Sequence, residues 1–296
     1  MIRVAIIGYG EVGGIMVRDL AILGCAINVW DTAFSNPDAP QTRKAQATAS
    51  IVICDSANAA AAGADLVIVC VTAGSTLDAV AALTDLHHAP LVLEVNSVAP
   101  ASKREAAGIV TQAGGRYVEA AIMTSIPPKG LRSPMLLGGP HADAMAALAT
   151  RFDMDVTIFS PEIGAASSVK MCRSVMIKGL EALMTECMLS ARHYGVEDVV
   201  LASLSDTLPG TDWPRLAQYL IGRSVQHGRR RAEEMREVAR TVADAGVPAM
   251  LSYAVADRHD ETFSLGQRIE AASTLDLGLL LDCLREQGGA DPVVRP

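Results

Sequence analysis

Residues 2–13 read IRVAIIGYGEVG, an apolar stretch that runs directly into three glycines spaced as Gly-x-Gly-x-x-Gly. Apolar side chains then recur at helical spacing until Gly24, and a second apolar segment over 26–30 ends at Asp31. The order is strand, glycine turn, helix, strand and acidic residue, which is the pattern of a dinucleotide-binding βαβ unit. The glycine motif has the flanking strands and helix that a dinucleotide-binding turn requires on both sides.

The glycine turn predicts where a cofactor binds. We expect Gly8 to form the tight turn, Gly10 to let the backbone approach a pyrophosphate, and Gly13 to let the helix pack on the strand. The N-terminus of the following helix offers free N–H groups to the phosphates. Further contacts are expected at the carboxyl ends of the strands. The predicted cofactor-binding residues are Gly8, Tyr9, Gly10, Glu11, Val12, Gly13, Asp31, Val71, Thr72 and Asn96.

Asp31 bears on which cofactor is used. A carboxylate at this position accepts hydrogen bonds from the adenosine ribose and repels a 2′-phosphate. Thr32 follows Asp31, and no arginine stands directly after it. The sequence therefore favours NAD, while Arg43 and Lys44 leave NADP open.

Composition limits the class of protein. The chain has 296 residues, enough for two domains, and is 50% hydrophobic without an uncharged apolar span long enough to cross a membrane. It begins on a strand, with no cationic leader. Six scattered cysteines suggest buried free thiols in a reducing cytoplasm, with neither disulfides nor a metal site. A net charge of −8 argues against a nucleic-acid partner. We expect a cytoplasmic enzyme for a small molecule, with no membrane partner.

Strands and helices alternate as far as about residue 160. This alternation predicts an α/β Rossmann domain with a doubly wound, mostly parallel sheet over 1–160. Only helical patterns follow, which predicts an all-α C-terminal domain over 161–296, with helices over 165–193, 212–245 and 265–286. Residues 32–41, which include two prolines, are expected to form a loop.

The helix over 165–193 is apolar nearly all round, which indicates that it is buried. We also expect the helical domain to form a homodimer, because so apolar a surface is rarely left bare. One polar stripe interrupts the helix at spacings of three or four residues. Such a stripe faces either a cleft, an interface or a paired carboxylate, or else plain solvent with Lys178 and Glu181 as a minor ion pair; periodicity alone does not choose. The stripe consists of Lys170, Ser174, Lys178, Glu181 and Thr185.

The start of that helix, GAASSVK over 164–170, resembles the Gly-x-x-x-x-x-Lys segment of the β-hydroxyacid dehydrogenases. That family includes 6-phosphogluconate and 3-hydroxyisobutyrate dehydrogenases. The segments KMCRSVMIKGLEAL (170–183) and HGRRRAEEMREVA (227–239) resemble the branch whose C-terminal domain is of unknown function. The resemblance covers essentially the whole chain.

The resemblance implies an NAD(P)-dependent hydride transfer between nicotinamide and the carbinol carbon of a hydroxy acid or related alcohol. The catalytic residues that the resemblance implies are Lys170, which matches the general acid/base, and Ser174, which stands where the family usually has asparagine and is expected to hydrogen-bond the substrate oxygen. Residues 123–125 replace the Ser-Gly-Gly of the substrate segment, which favours a substrate different from, or bulkier than, the usual small hydroxy acids. The predicted substrate-binding residues are Ser97, Met123, Thr124, Ser125, Arg173, Lys178 and His227.

Three alternatives stay open. The basic run over 226–231 fits a solvated helix face, or a site where His227 or Arg230 binds a substrate carboxylate. An imine reductase would share the two-domain plan, although that group usually lacks the lysine found at Lys170. A nucleotide-binding protein without turnover is the third possibility.

Overall fold

The computed structural model describes residues 1–289 and contains one eight-stranded sheet. The strand order is β3-β2-β1-β4-β5-β6-β7-β8, and every pairing is parallel except that of β6 with β7. A mostly parallel, doubly wound sheet is thereby confirmed. The strands are β1 (Arg3–Ile7), β2 (Ala26–Trp30), β3 (Ile51–Ile53), β4 (Leu66–Val69), β5 (Leu91–Glu94), β6 (Arg116–Ile122), β7 (Met135–Gly138) and β8 (Val156–Ser160).

Six helices accompany the sheet. They are α1 (Glu11–Ile22), α2 (Pro40–Gln46), α3 (Ala57–Ala61), α4 (Thr76–Ala81), α5 (Pro100–Gln112) and α6 (Ala142–Ala149). The loop expected over 32–41 is wrong in part, because Thr32–Ser35 forms a 3-10 turn and α2 begins at Pro40. Proline suits the first turn of a helix, where its missing N–H needs no partner.

The sheet is covered by apolar side chains on both faces. Ile6 and Ile68 pack into one layer with Met16 and Leu20 of α1, while Ile7 and Val69 belong to the opposite layer. All four residues of β4 are buried. Strands buried on both faces need continuous apolar runs, which is why β1 and β4 were recognisable in the sequence.

Helices follow β8 throughout the described residues. They are α7 (Ala165–Tyr194), α8 (Glu197–Thr207), α9 (Trp213–Asp244), α10 (Met250–Gly266) and α11 (Leu277–Gln287). The predicted single helix over 265–286 is wrong. α10 ends at Gly266, and Asp276 begins α11 by accepting a hydrogen bond from the Leu279 N–H at 2.9 Å.

The chain forms two compact units that divide between Met171 and Cys172, inside α7. The sheet ends earlier, at Ser160, so the predicted domain boundary at 160/161 stays a prediction. Within the second unit, α9 and α10 pack closely at Gly228. A Cβ on Gly228 would lie 2.4 Å from the His259 carbonyl oxygen, so only glycine fits there.

Two sequence expectations about burial are wrong within this chain. Helix α7 is not buried all round, because Met176 and Leu183 are 64% and 66% exposed. The cysteines are all free, as expected, but Cys172 and Cys187 are exposed rather than buried.

No helix within residues 1–289 is both long enough and apolar enough to cross a membrane. Over the same residues, no three His, Cys, Asp or Glu side chains are grouped so that they could hold a metal ion.

Candidate functional site

The glycine turn lies at the carboxyl end of β1, where steric limits explain each glycine. Gly8 has φ +100°, and a Cβ there would lie 2.7 Å from the Cys70 carbonyl oxygen. A Cβ on Gly13 would lie 2.0 Å from the Gly8 carbonyl oxygen. A Cβ on Gly10 would meet no atom within 4 Å. Gly8 and Gly13 are therefore required by the fold, whereas Gly10 leaves open space beside the start of α1.

Asp31 is held in place at the neighbouring strand end. Its carboxylate accepts hydrogen bonds from the Tyr9 N–H at 2.6 Å and the Ala33 N–H at 2.8 Å. A carboxylate has about four lone-pair sites, so these two bonds leave capacity for ligand hydroxyls. The same contacts tie the glycine turn to the end of β2. The Lys44 ammonium lies 5.1 Å from the centroid of the Tyr9 ring, so a cation also stands beside this turn.

The remaining predicted cofactor residues differ in what they can offer. The Tyr9 side chain is buried, with its hydroxyl 3.1 Å from Thr48 Oγ1, which leaves only its backbone for a ligand. Glu11 and Thr72 are exposed, and Val12 and Val71 are half-buried.

Asn96 follows β5 and is positioned by a buried ion pair. The Glu94 carboxylate accepts from the Asn96 N–H at 2.6 Å and from the Tyr117 hydroxyl at 3.0 Å, and it pairs with Lys103 Nζ at 2.6 Å. Burial, and then the charge of Glu94, hold the pKa of Tyr117 well above its usual range. The side-chain amide nitrogen of Asn96 is buried and has no acceptor among residues 1–289. Buried donors are rarely left unpaired, so this amide fits a ligand acceptor.

A second buried carboxylate fixes the start of α7. Glu119 lies on β6 and accepts from the Gly164 N–H at 3.0 Å and the Ala166 N–H at 2.8 Å. A carboxylate at this place satisfies helix N–H groups that have no partner within the helix. Burial is the main cause that raises the pKa of Glu119. A Cβ on Gly138 of β7 would lie 2.3 Å from Glu119 Oε1, so the carboxylate occupies space that glycine leaves.

Lys170 is the sixth residue of this anchored helix and is half-buried. Of the predicted substrate residues that follow strands, Ser97 and Met123 are half-buried. Thr124 and Ser125 are exposed, and the Thr124 hydroxyl donates to the Ser125 carbonyl at 3.2 Å. The first unit thus places the glycine turn, Asp31 and Asn96 at the carboxyl edge of one parallel sheet.

The polar stripe of α7 continues into the second unit, where it faces a paired carboxylate and not solvent. Ser174 and Lys178 are only 4% and 5% exposed, and Glu181 and Thr185 are buried too. Lys178 Nζ lies 2.9 Å from Glu234 Oε2 of α9 and donates to Ser174 Oγ at 3.0 Å. The alternative of an exposed stripe with a Lys178–Glu181 pair is therefore wrong.

Glu181 instead belongs to a cluster with α9 and α10. Its carboxylate lies 2.7 Å from Arg231 NH1, 4.0 Å from Arg223 Nε and 3.8 Å from His259 Nε2. Burial raises the pKa of Glu181, and burial lowers the pKa of Arg231 to about 10. The pKa of His259 is lowered to about 4, first by burial and then by the charges of Arg231 and Lys178. His259 is accordingly neutral at physiological pH.

The basic run over 226–231 divides between surface and interior. Arg229 and Arg230 are exposed, as a solvated face requires, whereas Arg231 is buried against Glu181. His227 is half-buried, and Arg173 of α7 is exposed.

The sequence pattern gave no site role to several titratable residues that the structure buries. Charged side chains are seldom fully buried without a partner, so a lone charge inside an apolar strand, as in LVLE (91–94), was a usable signal. The partners on other elements had no local signal. These residues include Glu94, Lys103, Glu234 and His259.

An open depression of about 640 Å³ lies at the other edge of the sheet, lined by Arg3, Asp65, Arg116 and neighbouring residues. These residues stand at the amino ends of β1, β4 and β6, away from the glycine turn. Ligands of open parallel sheets bind at the carboxyl edge, so we place no part of the site in this depression.

Comparison with known proteins identifies a family and several relatives. Residues 191–262 match a domain of unknown function, DUF1932. The chain is 28% identical over 221 residues to an NAD-dependent L-serine dehydrogenase of Pseudomonas aeruginosa, covering 72% of each chain. It is 25% identical over 222 residues to a 3-hydroxyisobutyrate dehydrogenase of the same organism, again covering 72% of each.

Among solved structures, a conserved hypothetical protein from Sinorhizobium meliloti is 30% identical, with 97% of each chain covered and a TM-score of 0.73. Residues 3–150 match the NAD binding domain of 6-phosphogluconate dehydrogenase. That match spans half of the chain and includes the glycine turn, Asp31 and Asn96. The protein therefore belongs to the 6-phosphogluconate dehydrogenase-like family of NAD-binding proteins, in the branch that carries a DUF1932 domain.

Proposed function

We propose that this protein is an NAD(P)-dependent dehydrogenase acting on the CH–OH group of a hydroxy acid or related alcohol, with NAD favoured. The observation that carries the proposal is the anchoring of α7. Glu119 of β6 binds the first turn of the helix that bears Lys170, in the same compact unit as the glycine turn. A lysine so anchored is suited to general acid/base work.

The residues of the first unit fit a dinucleotide. Gly10 leaves room for backbone N–H groups to approach a pyrophosphate, and Asp31 has free acceptor capacity for ribose hydroxyls. The unpartnered Asn96 amide suits a ligand acceptor beyond β5. A bound nicotinamide supplies the hydride acceptor or donor. Asp31 would repel a 2′-phosphate, which supports NAD over NADP.

Lys170 would take the hydroxyl proton of the substrate during oxidation and return it during reduction. Ser174 would hydrogen-bond a substrate oxygen. The two named dehydrogenases among the relatives are an L-serine and a 3-hydroxyisobutyrate dehydrogenase, which supports a 3-hydroxy acid. Substrate contacts are proposed for Ser97, Met123, Thr124, Ser125, Arg173 and His227, and Lys178 is proposed to act on the substrate through Ser174.

The test is NADH formation, followed by absorbance at alkaline pH, with hydroxy acids, aryl-substituted alcohols and amino alcohols. NAD and NADP are compared side by side. Lys170→Ala and Lys170→Met should lower kcat at least about a hundredfold, as expected for a lost general base. Both variants should keep their NADH affinity, measured by fluorescence.

Two results would contradict the proposal. Turnover that survives in Lys170→Ala would remove the lysine from the mechanism and favour an imine reductase, which is then assayed with cyclic imines. NADH binding without turnover of any compound would favour a nucleotide-binding protein that is not an enzyme.

We also propose that the protein is a cytoplasmic homodimer formed through the helical unit. The exposed apolar side chains of α7, Met176, Leu180 and Leu183, support a buried partner surface. Sedimentation tests this. The wild type should be a dimer and the double variant Met176→Glu/Leu183→Glu a monomer, and a monomeric wild type would overturn the proposal.

A further inference from the structure

The Ser174 hydroxyl accepts a hydrogen bond from a side chain, whereas several other hydroxyls of α7 and α9 donate to backbone carbonyls. Lys178 Nζ donates to Ser174 Oγ at 3.0 Å. An ammonium group can only donate, so the serine oxygen is the acceptor in this bond. The hydroxyl hydrogen of Ser174 is consequently still available to an acceptor.

The usual arrangement is seen elsewhere in the same helices. Thr185 donates its hydroxyl hydrogen to the Glu181 carbonyl at 2.8 Å, and Ser224 donates to the Leu220 carbonyl at 3.4 Å. Ser168 donates to the Gly164 carbonyl at 2.7 Å. Those hydroxyl hydrogens are bonded to backbone carbonyls of their own helix or its first turn. Within residues 1–289, Ser174 makes no comparable bond to its own helix.

Lys178 is itself held in one place. Its ammonium lies 2.9 Å from Glu234 Oε2 of α9, and both side chains are almost completely buried. A lysine fixed at both Glu234 and Ser174 cannot swing away without leaving a buried charge unpaired, which is costly. Accepting a bond from an ammonium also polarises the serine hydroxyl and makes it a stronger donor.

The surroundings carry an excess of positive charge. Glu181 is contacted by Arg231 and Arg223, and Glu234 by Lys178 and Arg230. Four cations thus face two carboxylates, while the buried His259, with its pKa of about 4, adds no charge at neutral pH. Such a cluster favours an anionic group beside it.

We propose that Lys178, held by Glu234, is a positioning residue that fixes Ser174 as a hydrogen-bond donor to the carboxylate of the substrate. This inference rests on the proposed function. A serine hydroxyl that accepts from an ammonium is left to donate its own hydrogen. The pair therefore selects an acid over the corresponding neutral alcohol.

The test uses two matched compounds, 3-hydroxypropionate and propane-1,3-diol, which differ only in carboxylate against hydroxymethyl. If the protein turns over a hydroxy acid of the assay panel, the best such substrate is tested as a third compound. Steady-state kinetics and calorimetric titration of the NAD-saturated protein are run on Ser174→Ala, Lys178→Met and the double variant. Ser224→Ala is the control, since it removes an equally buried serine hydroxyl from α9.

Ser174→Ala should weaken binding of the acid about tenfold to a hundredfold, the range expected for a hydrogen bond to a charged group. KM should rise and kcat should change little, because the carboxylate contact is the same before and during the reaction. Lys178→Met should match that loss for the acid and spare the diol. In the Ser174→Ala background, Lys178→Met should weaken acid binding by less than a further factor of about two, because Lys178 acts through the Ser174 hydroxyl.

Where Lys178→Met fails to fold, Lys178→Met/Glu234→Gln removes both charges together. Additive losses in the double variant, equal losses for acid and diol, or no measurable acid binding by the wild type would each overturn the inference. Failure of the proposed function has a different signature, namely unchanged kcat in Lys170→Ala.

Discussion

The Glu119 carboxylate accepts a hydrogen bond from the Ala166 N–H at 2.8 Å and so joins the middle of the sheet to the helix that carries Lys170. Hydrogen bonds to a charged group contribute about 1.5–3 kcal/mol each. We expect Glu119→Ala to lower the free energy of unfolding by about 3 kcal/mol, and Glu119→Gln by less, because one acceptor oxygen remains. Denaturant unfolding followed by circular dichroism measures both.

The control for the Glu119 variants is Glu105→Ala, which removes an exposed carboxylate from α5. Equal stability of Glu119→Ala and Glu105→Ala would show that the start of α7 does not depend on Glu119.

Gly10 and Gly13 should respond differently to the same substitution. Gly10→Ala adds a methyl group to open space, so unfolding should be unchanged while the Kd for NADH rises at least about tenfold, because the methyl group meets the pyrophosphate. Gly13→Ala brings a Cβ to 2.0 Å from the Gly8 carbonyl oxygen, so it should lower Tm. Thermal melting and NADH fluorescence titration distinguish the two. A stable Gly13→Ala variant, or a Gly10→Ala variant with normal affinity, would contradict this assignment.

Asp31 should decide between the two cofactors. Asp31→Asn removes the negative charge and keeps one acceptor oxygen for a backbone N–H. We expect NADH affinity to fall about tenfold, because a hydrogen bond to a charged group is lost, and NADPH affinity to rise, because the repulsion of the 2′-phosphate is lost. Parallel titrations with both dinucleotides measure the ratio, and Asp244→Asn, at the end of α9, is the control. A ratio unchanged by Asp31→Asn would instead point to Lys44 as the determinant.

His259 should make stability depend on pH. Its pKa is about 4 in the folded protein against about 6.5 when unfolded, because burial disfavours the charged imidazole and the charges of Arg231 and Lys178 add to that effect, while the charge of Glu234 opposes it. The unfolded chain therefore binds the proton more readily. The stabilisation is complete above about pH 6.5 and is lost as the pH falls towards 4, by about 3 kcal/mol at most.

The free energy of unfolding of the wild type and of His259→Asn, measured between pH 4 and pH 7, tests this. The difference between the two should shrink as the pH falls, since asparagine does not titrate. His87→Asn, at an exposed histidine, should parallel the wild type. Parallel curves for His259→Asn and the wild type would exclude His259 as the titrating group.

The sequence predicted those features that neighbouring residues determine. The glycine turn, α1 and Asp31 follow from a local pattern, and α9 begins where Asp212 and Pro214 indicate, with Asp212 accepting from the Arg215 N–H at 3.1 Å. The split between α10 and α11 was missed, because apolar residues keep helical spacing across Asp276 although that residue caps a new helix.

The candidate site was predicted only in part, because its charges are paired across the fold. Periodicity left open whether Lys178 faces a cleft, an interface, a paired carboxylate or solvent, because its partner Glu234 lies on another helix. Glu119 is separated from Ala166 by β7 and β8, so no spacing rule in the sequence connects them. Long-range partners of buried charges depend on packing that local propensity does not contain.

The space at Gly138 has an evolutionary consequence. Any side chain at this position would place a Cβ 2.3 Å from Glu119 Oε1 and displace the carboxylate from α7. A side chain at position 138 is therefore compatible with the fold only where position 119 is smaller, and in either order of change the start of α7 loses its carboxylate. We expect the two positions to covary among homologues, with glycine at 138 obligatory wherever glutamate stands at 119.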